Sequence, residues 1–171
     1  WDNLPSIKGS LSDGLLKALN TKPKREKAIE TTNTEAYEFY LKAKHRYAKR
    51  ENTDDTEIVV GLLNKAIDLD CSLLSARILL GSTYFHIGKS NKAMEIYQSV
   101  LIQAEEMSDK CGTGDSLNCI GNVYMEKGDY GKALDYYNRS LVIQKQIGNK
   151  HRVGGGFGNI GNVYMKKGEY D

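Results

Sequence analysis

A segment of twelve residues returns after forty positions, and this internal repeat constrains the fold more than any other feature of the chain. Residues 119–130 (CIGNVYMEKGDY) reappear as residues 159–170 (NIGNVYMKKGEY), with nine of the twelve positions identical. A weaker copy lies forty residues upstream, in residues 80–88 (LGSTYFHIG). Because a fixed period of this length is typical of stacked supersecondary units, the sequence predicts a solenoid whose function depends on its surfaces.

Each repeat unit has the apolar spacing of two consecutive helices. In residues 115–127 the apolar residues recur at the helical period, and Gly128 follows as a helix-ending glycine. A second apolar series begins at Tyr130. Gly121 and Ala133 lack the bulk that would hold two backbones apart, so we expect tyrosines to fill the space beside them.

These offsets resemble the tetratricopeptide repeat. In the third unit the family pattern is carried by Leu117, Ile120, Gly121, Tyr124, Gly128, Tyr130, Ala133 and Tyr137. In the fourth unit it is carried by Phe157, Ile160, Gly161, Tyr164, Gly168 and Tyr170. The period of forty exceeds the 34 residues of the commonest form, and in this the chain is similar to the long repeats of kinesin light chains and G-protein signalling modulators. The resemblance implies an all-α fold, a right-handed α-solenoid of helix-turn-helix units.

The same pattern divides the chain into an N-terminal segment, residues 1–32, and a repeat array, residues 33–171. In the N-terminal segment we predict a linker with short helices at residues 11–19 and 24–30. The array divides into a divergent unit at residues 33–72, two clear units at 74–108 and 114–150, and a truncated unit at 154–171. Because the chain begins at Trp1 and ends directly after a turn, we interpret it as a fragment of a longer protein.

Three local predictions concern the ends of helices. In the divergent unit, residues 51–55 form a longer loop between helices at residues 37–47 and 57–69. The additional residues of the long period lie in residues 142–153 and lengthen the second helix of the third unit. Three glycines, residues 154–156, open the first helix of the fourth unit. We expect that helix to fray at its start, because an interior glycine costs roughly 0.5–1 kcal/mol relative to alanine.

The composition argues against several classes of function. The chain has 24 Lys and Arg against 22 Asp and Glu, a balance that gives no electrostatic reason to expect nucleic acid as a partner. No apolar run approaches the ~18 residues that span a bilayer, so we expect no membrane partner. The three cysteines form no CxxC motif and indicate reduced thiols in a cytoplasmic protein.

Sequence motifs for chemistry are also missing. His45, His86 and His151 have no partner at metal-ligand spacing, so no metal site is predicted. Residues 154–158 (GGGFG) are not followed by the Lys-Ser/Thr of a phosphate-binding loop. No nucleophile and base can be paired from their spacing, and we therefore predict no catalytic residues, no cofactor and no enzymatic activity.

Asparagines follow the repeat glycine at equivalent positions. Asn122 and Asn162 occupy this position in the third and fourth units, and Ser82 occupies it in the second. The resemblance implies that the first helix of each unit lines a concave groove and that this position points into it. An amide both donates and accepts hydrogen bonds, which suits the backbone of a bound peptide. The alternative is that these amides bond to neighbouring helices and rigidify the stack.

The predicted peptide-groove residues lie at this position and within about one helical turn of it. They are Asn118, Asn122, Asn159, Asn162, Ser82, Met125, Glu126 and Lys166. Methionines on an exposed groove adapt to varied partners, although a methionine at this spacing also suits a core. The clamp for a C-terminal carboxylate that some members of the family carry is missing, since Asp115 and Cys119 hold its positions in the third unit.

Two classes of function remain. The first is a protein-interaction module that binds a peptide or partner segment in its concave groove. The second is a regulatory segment of a larger multidomain protein, a nucleotide cyclase or transcription regulator, that packs on its own neighbouring domain. A further prediction concerns the truncated unit, which lacks a second helix to cover Ile160, Val163 and Tyr164 fully. We expect that open apolar face to fray or to promote self-association.

Overall fold

The computed structural model describes residues 33–50 and 53–168, which form seven α-helices and no strand. The helices are α1 (Thr34–Lys49), α2 (Thr53–Leu69), α3 (Leu74–His86), α4 (Ser90–Glu106), α5 (Lys110–Glu126), α6 (Tyr130–Gln146) and α7 (Lys150–Lys167). None of these helices has the length and apolar character needed to cross a bilayer. The short helices predicted at residues 11–19 and 24–30 lie outside the described residues.

Both helices of a unit share the additional length of the repeat. α4, α5 and α6 each have 17 residues. The additional residues are not confined to the second helix of the third unit, because α5 and α7 begin at Lys110 and Lys150 instead of residues 114 and 154. Residues 154–156 therefore lie inside α7 and do not open it. The long loop predicted at residues 51–55 is also wrong, because α2 already begins at Thr53.

From α3 onwards, short turns built on a left-handed residue connect the helices. Gly128 has a φ of 75°, and the N–H of Asp129 donates to the Tyr124 carbonyl at 3.0 Å, as in a Schellman motif. Asp129 then caps α6 by accepting from the Lys132 N–H at 3.1 Å. A left-handed residue recurs every twenty positions, with Ser108 (φ 56°) replacing glycine before α5. Gly or Ser followed by Asp or Asn is therefore the sequence signal that marks the starts of α5, α6 and α7.

Glycine and tyrosine make a very close contact between the two helices of a unit. A Cβ atom on Gly121 would lie 2.6 Å from Cε1 of Tyr137, and a Cβ atom on Gly81 would lie 2.5 Å from Cε1 of Tyr97. Each of these tyrosines has only 2% of its surface exposed, and Ala133 is fully buried. The predicted role of small residues at helix-pair contacts is thus confirmed.

The helix pairs stack into a solenoid, as predicted. Each second helix packs on the first helix of the following unit, as α4 does on α5 and α6 does on α7. First helices of successive units also contact each other, α1 with α3 and α3 with α5. Among the described second helices, α2, α4 and α6, no two contact each other to a comparable extent. The first helices therefore form the inner, concave face of the stack, and α2, α4 and α6 form its outer face.

The preceding unit partly covers α7. Val163 is fully buried in a cluster with Ala133 and Tyr137, so the prediction that Val163 is left open is wrong. Ile160 is half-buried against the same cluster. The large apolar side chains of α7 that remain exposed are Phe157, Tyr164 and Met165.

Candidate functional site

An open pocket lies on the inner face of the solenoid, formed by residues of α3, α5, α6 and α7. Its volume is about 280 Å³. It is lined by Phe85, Asn122, Met125, Glu126, Tyr137, Asn159 and Asn162. Five of the eight predicted groove residues therefore share one pocket, although they belong to two successive units of the repeat.

The Asn122 side chain is oriented by a tyrosine of its own unit. The Tyr137 hydroxyl donates to Asn122 Oδ1 at 2.8 Å, which leaves the Asn122 amide nitrogen with no hydrogen bond among the described residues. Burial raises the pKa of Tyr137 to about 12, so its hydroxyl remains protonated and can donate at neutral pH. The second unit repeats this pair, with the Tyr97 hydroxyl donating to Ser82 Oγ at 3.1 Å. The tyrosine thus directs the donor end of Asn122 into the pocket.

A second asparagine pair connects the inner helices of the third and fourth units. Asn159 Nδ2 donates to Asn118 Oδ1 at 2.9 Å. This bond uses the donor end of Asn159 and leaves its carbonyl oxygen as an acceptor at the pocket. Asn162 is exposed, and its side chain makes no hydrogen bond within the part of the chain that the structure describes. The pocket therefore presents both hydrogen-bond donors and acceptors.

Three of the predicted groove residues do not line the pocket. Asn118 lies behind Asn159 as its hydrogen-bond acceptor. Ser82 is occupied within its own unit, because it accepts from Tyr97 and donates to the Ile78 carbonyl at 3.0 Å. Lys166 is exposed near the end of α7. Met125 lines the pocket and also packs against the buried cluster around Tyr137, so it serves both surface and core.

Sequence reasoning missed a partly buried polar network that joins α5, α6 and α7. Arg152 Nη2 lies 2.6 Å from Asp115 Oδ2, and Gln144 Nε2 donates to Asp115 Oδ1 at 3.1 Å. Gln144 is 2% exposed, and its Oε1 atom has no hydrogen-bond partner among the described residues. Ser140, one turn before Gln144, donates to the Gly114 carbonyl at 2.7 Å. These contacts join α5, α6 and α7 through polar groups instead of apolar ones.

A comparison between units contains the signal for this network. The positions equivalent to Ser140 and Gln144 forty residues earlier are Val100 and Ala104, which are both fully buried. Polar residues thus replace apolar ones on the face of α6 that packs against its neighbours. Because Arg152 follows Asp115 by 37 residues, their pairing does not fall on the forty-residue register and cannot be found from it.

Two further titratable side chains of the inner face, Cys119 and His86, are held in their uncharged forms. Burial raises the pKa of Cys119 to about 12, so its thiol stays protonated beside Tyr97 and Ser82. Burial, with Arg50 nearby, lowers the pKa of His86. In residues 33–50 and 53–168 no cluster of three or more His, Cys, Asp or Glu is placed to hold a metal ion.

Family models described as tetratricopeptide repeat match two segments of the chain, residues 74–101 and residues 114–146. These segments cover most of the second unit and most of the third. Comparison with curated protein sequences gives no significant match.

Three solved structures illustrate the likeness in fold. Aspartyl phosphate phosphatase F from Bacillus subtilis is 16% identical, with a TM-score of 0.70 over 82% of this chain. The apo form of RapI is 15% identical, with a TM-score of 0.70 over 94%. A kinesin light chain protein of TPR-like repeats from Podospora anserina is 15% identical, with a TM-score of 0.64 over 81% of this chain and 69% of its own. The chain spans only 38% of the phosphatase and 56% of RapI, and at these identities the likeness shows the fold alone.

Proposed function

Because the chain belongs to the tetratricopeptide-repeat family, we propose that its inner face binds an extended peptide segment of a partner protein. The observation that carries this proposal is the amide of Asn122, whose acceptor end is held by Tyr137 and whose donor end is left for a ligand at the pocket. An extended peptide offers alternating carbonyl and N–H groups and has no internal hydrogen bonds, so it needs both donors and acceptors from its receptor.

The pocket supplies both kinds of group. Asn122 offers an oriented donor, Asn159 offers a carbonyl oxygen, and Asn162 offers both. The two interpretations of these asparagines are compatible, because one end of an amide can rigidify the stack while the other end meets a ligand. Pre-orientation by Tyr137 and Asn118 favours binding, since the side chains lose less conformational entropy when a peptide arrives.

Substitution of the asparagines tests this proposal. Peptides are first selected from a random displayed library on the immobilised chain, and the affinity of one selected peptide is measured by fluorescence anisotropy. Asn162→Ala is expected to weaken binding about twofold to tenfold, the effect of one hydrogen bond, without changing the melting temperature. Asn122→Ser is expected to weaken binding by a similar factor, because serine lacks the amide donor. The melting temperature should again stay unchanged, because serine can still accept from Tyr137, as Ser82 accepts from Tyr97 at the equivalent position.

The matched control is Asn138→Ala, which removes an exposed asparagine from the outer helix α6. Equal affinities for the wild type and both pocket variants would contradict the proposal. If the chain binds selected peptides but a longer protein that contains it does not, the groove is occupied by a neighbouring domain. That result would support the regulatory-segment interpretation instead.

We also propose that the exposed face of α7 associates two copies of the chain at high concentration. Phe157 and Tyr164 lie two helical turns apart on one side of the helix and are 54% and 44% exposed. Light scattering is expected to show an average mass that rises with concentration, and Phe157→Ser is expected to reduce that rise. The control Val142→Ser removes a similarly exposed apolar residue from α6, and an equal effect of both variants would locate the interface elsewhere.

A further inference from the structure

The lining of the inner-face pocket is chemically one-sided. Glu126 is the only carboxylate among the seven lining residues, and none of them is a lysine, arginine or histidine. The other lining residues are three amides and three largely apolar side chains. A site that combines a carboxylate with amide oxygens and apolar walls is complementary to a cation on an aliphatic stem. We propose that this pocket receives an arginine side chain of the bound peptide, an inference that rests on the proposed function.

The acceptors of the pocket suit a guanidinium group. Ser90 donates its hydroxyl to Oε2 of Glu126, which holds the carboxylate in place and leaves Oε1 for a ligand. The Asn159 carbonyl oxygen is also left over, because its amide nitrogen donates to Asn118. Arginine carries five N–H donors in a planar fork and can meet several such acceptors at once, whereas lysine presents a single point charge. The pocket is therefore expected to prefer arginine to lysine.

The apolar walls accommodate the rest of the side chain. Phe85, Met125 and Tyr137 line the pocket and come from three different helices. The methylene groups of arginine pack against such surfaces while the charged end stays among polar groups. The half-buried Phe85 ring also attracts a guanidinium group, which can stack on an aromatic face.

The position of Glu126 gives the bound peptide a register. In the second and fourth units the equivalent residues are His86 and Lys166, so Glu126 is the one acid in this row. A ligand arginine placed beside His86 or Lys166 meets no carboxylate from this row, and Lys166 repels it. We therefore expect a single arginine position in the peptide, aligned with the third unit.

A comparison of arginine with citrulline tests the inference, because citrulline has nearly the same shape but no charge. The probe is a peptide selected on the wild-type chain, synthesised with arginine, lysine or citrulline at each basic position. At one of these basic positions, citrulline in place of arginine is expected to weaken binding about tenfold, the effect of losing a charge-assisted hydrogen bond. Lysine at that position is expected to give an intermediate affinity. In Glu126→Gln the ratio of arginine to citrulline affinities is expected to fall to about twofold or less, since a neutral amide gains little from the charge.

The control variant is Glu106→Gln, which neutralises an exposed carboxylate at the end of the outer helix α4 and is expected to preserve the tenfold ratio. The inference is overturned if Glu126→Gln leaves the ratio unchanged, or if the selected peptides bind without preference for a basic residue. In both cases peptide binding in the groove stands, because the asparagine variants report on it separately. If no peptide binds the chain at all, the proposed function itself fails.

Discussion

Gly121→Ala is expected to lower the free energy of unfolding by about 2 kcal/mol, although alanine is the better helix former. The new Cβ atom would lie 2.6 Å from Cε1 and 2.7 Å from Cδ1 of Tyr137. Tyr137 is only 2% exposed, so neighbouring side chains hold most of its ring in place and resist its displacement. Overpacking of this kind costs about 1–3 kcal/mol. The displaced ring would also weaken its hydrogen bond to Asn122.

The fourth unit offers a matched control in the same chain. Gly161 occupies the equivalent position in α7, and a Cβ atom there would have no atom of the described residues within 4 Å. Gly161→Ala is therefore expected to stabilise the protein by roughly 0.5–1 kcal/mol through helix propensity alone. Urea denaturation followed by far-UV circular dichroism measures both variants. If Gly121→Ala and Gly161→Ala change the free energy of unfolding equally, the contact with Tyr137 does not determine the cost of adding a methyl group.

Asp115→Ala is expected to destabilise the protein by about 2 kcal/mol, mainly through the amide that it leaves behind. Gln144 is buried, its Oε1 atom already lacks a partner among the described residues, and its Nε2 atom would lose its bond to Asp115. The cost of leaving a buried polar group unsatisfied is about 1–3 kcal/mol. The lost ion pair adds little, because the Arg152 side chain is 42% exposed and solvent screens its charge.

A double variant separates the two contributions. Asp115→Ala combined with Gln144→Met removes the orphaned amide and keeps the volume of the side chain, so we expect it to recover more than half of the lost stability. The control Asp135→Ala breaks a surface pair with Arg139 at 3.7 Å and should change the free energy of unfolding by at most about 0.5 kcal/mol. If the double variant is no more stable than Asp115→Ala, the lost ion pair with Arg152 causes most of the destabilisation instead.

The fold could be predicted because its determinants are local and repeated. The forty-residue period, the left-handed glycines at the turns and the pairing of Gly121 with a tyrosine each depend on residues at fixed offsets within one unit. The positions at which helices begin could not be predicted as well from these local patterns. Gly112, Gly114 and residues 154–156 resemble helix breaks in the sequence, yet they lie inside helices that begin at capping residues Asp109 and Asn149. Caps and tertiary packing outweigh the intrinsic helix propensity of glycine there.

The candidate site was predictable as a set of positions but not as a set of contacts. The resemblance to the tetratricopeptide repeat implies that Asn122, Glu126 and Asn162 face the groove, and five predicted residues do line one pocket. Periodicity cannot state which polar atoms are already used, because partners such as Asn118 and Asn159 are 41 residues apart and meet only through the stacking of helices. The network of Asp115, Gln144 and Arg152 has the same origin. The repeat itself thus specifies the helices and their faces, whereas the angle and distance between stacked helices decide which side chains pair and which remain for a ligand.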